Sequence, residues 1–143
     1  MSGIGILTCS NCTQELDCAS VVCLGDLRKR KGFFQRYESD EDLILVGIIN
    51  CAGCPTLGAP EKILRKVKSL AAFRIDAIHL SYCVTALCPF KKKYVEIIHS
   101  AHPGIEVVEG THVPRDFSVF QKDVGAALCA QKESMTDIIK AGK

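Results

Sequence analysis

Four short apolar runs constrain the fold of this chain more than any other feature: Gly3–Leu7, Leu43–Ile49, Ala77–Leu80 and Ile105–Val108. They are brief, rich in β-branched residues and almost continuously apolar, which is the pattern of strands covered on both faces. Between the later runs lie helical patterns. Ile63, Leu64, Val67, Leu70 and Ala71 keep the i, i+1, i+4, i+7, i+8 spacing behind Pro60, which suits a first helical turn, and Tyr94, Ile97, Ile98 and Ala101 repeat that spacing.

Strand and helix alternating in this way require right-handed crossovers and parallel neighbours. The expected fold is therefore α/β, a three-layer, doubly wound parallel sheet of about four strands in the flavodoxin-like order 2-1-3-4. Parallel strands all end on one side of the sheet, where open α/β folds hold ligands. Six of the nine cysteines follow those strand ends as the pairs Cys9/Cys12, Cys51/Cys54 and Cys83/Cys88, and His112 follows the fourth run. Stability alone does not call for thiols at these positions.

The remaining segments read simply. Residues 11–38 form one long or two short helices with Leu16, Ala19, Val22 and Cys23 on one face, and end in an aromatic stretch around Phe33, Phe34 and Tyr37. An acidic turn occupies 39–42. Pro114 breaks the chain after the fourth strand, Phe117, Phe120, Val124, Ala127 and Leu128 mark a last helix, and the residues from about Lys132 read as a frayed polar tail.

With 143 residues, 48% of them hydrophobic, the chain is expected to be one domain, 1–143, whose core does not depend on covalent staples. The odd cysteine count, the lack of a signal-peptide pattern and the lack of a membrane-length apolar run predict a reducing, cytoplasmic setting without a membrane partner. There, closely spaced cysteines serve metals or redox chemistry. A formal charge of +2, short basic clusters at Arg28–Lys31 and Lys91–Lys93 and sparse aromatics argue against nucleic acid. Protein partners are not legible.

Two intervening residues let both sulfurs of a C-x-x-C turn onto one metal ion. Cys9-Ser10-Asn11-Cys12 falls at a strand-to-helix turn where Ser10 or Asn11 could cap, a position that favours thiolate over thiol. In Cys51-Ala52-Gly53-Cys54-Pro55, Gly53 permits an unusual backbone and Pro55 fixes the exit. Cys83 and Cys88 are more widely spaced, with Pro89 available to open a helix, and Gly110 allows a turn that brings the His112 imidazole over the strand ends. Against these stand ordinary readings. Cys18, Cys23 and Cys129 lie on apolar helical faces and read as small buried hydrophobes. His79 reads first as a hydrogen-bonded core or supporting histidine, and His99 and His102 as helix-end surface residues.

Four segments together resemble the CGGC domain family: Ile49-Asn50-Cys51-Ala52-Gly53-Cys54-Pro55, His79-Leu80-Ser81-Tyr82-Cys83, Cys88-Pro89-Phe90 and Glu109-Gly110-Thr111-His112. Cys9, Cys12 and the stretch from Phe34 to Tyr37 also fit, so the resemblance spans nearly the whole chain. It implies a small, mostly prokaryotic protein with a metal-binding role, zinc foremost, and no firmly assigned reaction. Ala52 stands where the name-giving motif has its first glycine, which reduces backbone freedom but leaves both thiols.

The expected function is metal binding at Cys51, Cys54, Cys83, Cys88 and His112, with Cys9 and Cys12 completing that site or forming a second. Seven candidates exceed the four ligands of one tetrahedral zinc. An iron–sulfur cluster is the competing cofactor, and a thiol–disulfide enzyme using Cys51 and Cys54 the competing class. No phosphate loop, dinucleotide fingerprint or Ser/His/Asp constellation supports a third class. Whether the protein is an enzyme stays open. Glu109 and Asp76 are the carboxylates closest in sequence to the strand ends.

Overall fold

A computed structural model describes residues 2–54, 56–113, 115–128 and 134–141. The sequence expectations for Pro55, Pro114, Cys129 and Lys132 fall outside these residues. Four strands form one all-parallel sheet: β1 (Gly3–Thr8), β2 (Ile44–Asn50), β3 (Ala77–Leu80) and β4 (Glu106–Glu109), in the order β2-β1-β3-β4. The doubly wound α/β architecture and the strand order both match the expectation from sequence. β1 runs between β2 and β3, and every residue of it is buried.

Helices cover both faces. On one face α2 (Ala59–Ala72) and α4 (Lys91–Ala101) bring Ile63, Val67, Leu70, Tyr94 and Ile98 against Leu7, Ile78 and Leu80. On the other, Leu27 of α1 (Val21–Lys29) and Phe34 of a 3₁₀ turn at Gly32–Tyr37 pack on Ile4, Ile6 and Val108. Fully burying an aliphatic side chain of this size contributes roughly 2 kcal/mol. Pro60 lies in the first turn of α2, where its missing N–H costs nothing.

Several local expectations need correction. β2 and β4 are edge strands and are not covered on both faces: Ile44 is 46% and Ile48 41% exposed. Segment 11–38 is broken into a π turn at Asn11–Glu15, α1 and the 3₁₀ turn, because Asp17 and Ser20 adopt left-handed backbone and restart the helix at Val21. Cys23 is buried as expected, but Cys18, Ala19 and Val22 are exposed. Cys83 and Cys88 do not share a loop, because α3 (Tyr82–Leu87) begins directly after β3 and runs between them. Cys88 caps its end, and Pro89 opens no helix, since α4 starts at Lys91.

The last helix expected from the sequence is α5 (Phe117–Leu128). Beyond it, within the segment read as a frayed tail, α6 (Met135–Ala141) forms behind a reciprocal cap in which the Asp137 amide donates to Ser134 Oγ (3.1 Å) and Ser134 Oγ donates to Asp137 Oδ2 (2.6 Å). Gly110 serves by close approach: a Cβ there would stand 2.3 Å from the Phe33 ring.

His79 has the hydrogen-bonded core role expected of it. It is fully buried in β3, with Nδ1 2.8 Å from the Gly110 carbonyl and Nε2 2.8 Å from the Tyr37 hydroxyl. A carbonyl only accepts, so Nδ1 carries the proton and Nε2 accepts from Tyr37. The Phe34 ring lies 4.7 Å away, and the nearest charged groups are Arg36 and Glu106, which pair with each other. Burial pushes the His79 pKa down to about 4, partly opposed by the Gly110 hydrogen bond.

A lowered imidazole pKa makes the unfolded chain bind more protons than the folded one below about pH 6.5. Stability is therefore complete above that pH and falls as the pH drops toward 4, by about 2.5 kcal/mol at pH 4.5. Urea unfolding at pH 7.0 and 4.5 should show this loss. His79→Phe should be less stable at pH 7.0 but much flatter between the two; an equal slope in both proteins would remove His79 as the cause.

Candidate functional site

The carboxyl ends of β1, β2 and β3 are tied together before any sulfur is considered. The Cys51 amide donates to the Thr8 carbonyl (2.9 Å) and the Ser81 amide to the Leu7 carbonyl (2.9 Å), continuing the sheet past its last paired residues. Thr8 Oγ1 reaches the Ile49 carbonyl and the Asn50 carboxamide, and Thr13 Oγ1 also donates to Asn50 Oδ1 (3.0 Å). Ser10 does not cap the turn that follows it. Its hydroxyl instead donates to the Cys51 carbonyl, fastening the first cysteine segment to the second. Gly53 adopts φ +97°, the left-handed backbone expected there, and its amide points at the Cys51 sulfur (3.4 Å) as the Ser10 amide does (3.5 Å).

Cys9 occupies the centre of this arrangement, with the thiols of Cys12, Cys51 and Cys83 as the neighbours that act on its proton. Cys12 also contacts Cys83, whose sulfur lies 2.8 Å from Ser81 Oγ. Such neighbours share protons unequally. Hydrogen bonds from Cys12, Cys9 and Ser81 stabilise the Cys83 thiolate and pull its pKa down to about 3. Bonds from Cys12 and Cys51 lower Cys9 to about 7, against the opposing effect of Cys83. The donors pay the complement: Cys12 is raised by giving its proton to Cys83 and Cys9, and Cys51 is pushed up to about 12 by giving its own to Cys9. The four sulfurs thus hold negative charge and mobile protons together, in a setting that a cation can enter by displacing protons.

Two cavities open from opposite sides of this cluster. One, of about 70 Å³, is lined by Cys9, Cys51, Cys54 and Cys88 among Val84, Leu87 and Tyr94. Four sulfurs and Asn11 are its main polar lining, and among the described residues no Lys, Arg, Asp or Glu lines it. The other, of about 210 Å³, is lined by Cys12, Cys18, Cys23, Cys83 and His112, with Leu16, Phe120 and Val124 as an apolar wall. Among the described residues no three His, Cys, Asp or Glu side chains form a ready metal cage.

The seven residues singled out from sequence therefore divide. Cys9, Cys51, Cys54 and Cys88 share the smaller cavity, while Cys12, Cys83 and His112 line the larger one. Cys54 is exposed, and the sulfur partner of Cys51 is Cys9. His112 lies over the Tyr82 ring at 5.2 Å, with Nδ1 donating to the Val113 carbonyl (3.0 Å). Asp76 is at the opposite end of the sheet, accepting from the Gly3 amide (2.9 Å), and Glu109 faces Lys91 (3.4 Å). The supporting hydroxyls of Ser10 and Ser81 and the second group of thiols, Cys18 and Cys23, were not found from sequence. Their only signal is adjacency to a cysteine, or a spacing that matches a helix face.

A family model described as the CGGC domain matches residues 3–112, which spans all four strands and every one of the seven candidates. No curated protein and no solved structure matches the chain.

Proton sharing of this kind is visible in the ultraviolet. Reduced, metal-free protein should retain roughly one thiolate's absorbance at 240 nm at pH 5, and Cys83→Ser should abolish it. Thiolate absorbance that emerges only above about pH 8, the range of an unperturbed thiol, would show that the sulfurs titrate independently.

Proposed function

The chain belongs to the CGGC domain family, and from that membership and the donor chemistry of its strand-end rim we propose a metal-binding protein with zinc as the favoured ion. The observation that carries this reading is the small cavity whose donors are four cysteine sulfurs, Cys9, Cys51, Cys54 and Cys88. Four thiolates match the tetrahedral, sulfur-rich coordination of structural zinc. A bound zinc ion would supply a fixed divalent charge in place of the protons the thiols now share.

The residues around the cavity suit that exchange. Ser10 and Gly53 aim amides at the Cys51 sulfur, which stabilises it as a thiolate. Cys9 already titrates near neutrality through its neighbours, so its proton is easily displaced. Cys54 is exposed at the mouth and gives an ion a first point of attachment. Cys12, Cys83 and His112 stand behind or beside this set as supporting groups or as donors to a second ion.

An iron–sulfur cluster uses the same thiolate donors, and sulfur ligation alone favours neither cofactor. Cys51 and Cys54, the pair a thiol–disulfide mechanism would use here, are linked only through their charges, whereas Cys51 hydrogen-bonds to Cys9.

Elemental analysis of anaerobically purified protein, with a thiol count on the native state, tests the proposal. About one or two equivalents of zinc, with four or more thiols protected until a chelator is added, is the expected result. Cys51→Ser and Cys88→Ser should each lower occupancy at a fixed free zinc by about ten- to a hundredfold or more. Iron with acid-labile sulfide would replace zinc by a cluster, and metal below about a tenth of an equivalent with freely reactive thiols would overturn metal binding altogether.

A further inference from the structure

The larger cavity lies outside the four cysteines that carry the metal reading, and at about 210 Å³ against about 70 Å³ it has the more room for a molecule. Its lining includes both Cys12 and Cys83, neighbouring thiols that each rank first among the influences on the other. They come from different strand-end segments, and their exposures differ. Cys12 is 7% exposed, whereas Cys83, in the first turn of α3, is only partly covered and opens into the cavity. Ser81 Oγ lies 2.8 Å from the Cys83 sulfur. The opposite wall is apolar and belongs to Leu16 with Phe120 and Val124 of α5, beyond the residues matched by the family.

α5 is held in place for this purpose. Tyr82 of α3 stacks on Phe117 (5.5 Å between centroids), meets Phe120 (4.9 Å) and donates its hydroxyl to the Arg115 carbonyl (2.7 Å), and Gln121 Nε2 donates to the Ala86 carbonyl (2.7 Å). Among the described residues no Asp, Glu, Lys or Arg lines the cavity. A charged molecule would lose its hydration there without compensation, whereas a neutral apolar one gains by burial.

We propose that this cavity binds a small neutral disulfide and reduces it with Cys83 and Cys12. The partly exposed Cys83 sulfur attacks one sulfur of the bound disulfide R–S–S–R, forms a mixed disulfide and expels one R–S⁻, which takes a proton from solvent. The buried Cys12 thiol then attacks Cys83, passes its proton to the departing sulfur so that the second R group leaves as R–SH, and closes a Cys12–Cys83 disulfide. Two electrons pass from the cysteine pair to the substrate, and a dithiol reductant returns the pair to its starting state. Cys83 is the nucleophile and Cys12 the resolving thiol. This inference goes beyond metal binding and does not depend on it, since Cys12 and Cys83 line a different cavity from the four cysteines that carry that reading.

The test uses the full chain freed of metal with a chelator, with 4,4′-dithiodipyridine as the neutral probe, the dianionic 5,5′-dithiobis(2-nitrobenzoate) as its charged counterpart and peptide mass mapping as the readout. The exposed Cys54 serves as the internal reference. With the neutral probe, two thiopyridone equivalents should be released per Cys12–Cys83 disulfide formed, and Cys12→Ser should stop at one, trapped on Cys83. Relative to Cys54, the dianion should label Cys83 about tenfold or more slowly, and Val124→Trp, which fills the cavity from the surface of α5, should slow the neutral probe by a similar factor. Labelling confined to Cys54 and Cys18, a disulfide linking any other pair, or equal relative rates for the two probes would each overturn the proposal.

Discussion

Everything at the strand-end rim depends on β1 being hydrogen-bonded on both sides. Because it pairs in parallel with β2 and β3, the chain leaving Thr8 is placed between the chain leaving Asn50 and the chain leaving Leu80. Cys9 is therefore the only strand-end thiol with a cysteine segment on either side. The amide bonds from Cys51 to Thr8 and from Ser81 to Leu7 carry the sheet register one residue further and fix these sulfur-bearing segments with the precision of a ladder. A central strand that is completely buried cannot slip without turning its apolar residues toward solvent, so the sulfur arrangement inherits the rigidity of the core.

Sulfurs held this close must settle how many protons they keep. In water each thiol would titrate on its own, but here Cys12 and Cys51 donate while Cys83 and Cys9 accept, and the pKa values spread apart as a result. The spread reflects a structure that stabilises charge on some sulfurs by obliging others to stay protonated. A thiophilic cation resolves the same conflict differently, by letting several sulfurs become thiolates together. The geometry seen with protons in place is thus one solution for a donor set that admits another, which is why contacting thiols and the lack of a ready cage among the described residues occur together.

How much of this was legible in the sequence varies with the physics involved. Strand order and direction follow from short apolar runs separated by helical patterns, since crossover handedness leaves little choice, and the rim location of the cysteines follows in turn. The place at which residues 11–38 are interrupted was not legible, because it rests on left-handed backbone at Asp17 and Ser20, residues that carry no glycine signal. Edge exposure of β2 was hidden as well: Ile44 and Ile48 look like core residues until the strand order says that nothing pairs beyond them. His79 was readable as a core histidine, but its partners Tyr37 and Gly110 come from segments distant in sequence. The division of the sulfurs between two cavities was the least accessible feature. Two-residue spacing says that Cys9 and Cys12 can approach one another, yet the side of the rim each faces is set by the turn at Asn11–Glu15 and by α3 starting directly after β3.

That division also explains why a small protein would concentrate so many thiols without uniting them in one site. Cys9 touches Cys51 toward the smaller cavity and both Cys12 and Cys83 toward the larger. A change in the proton held at Cys9 therefore alters what Cys12, Cys51 and Cys83 can share with it. Coupling through a single shared sulfur needs no movement of the backbone, only a different distribution of protons across a cluster that the buried central strand holds in place.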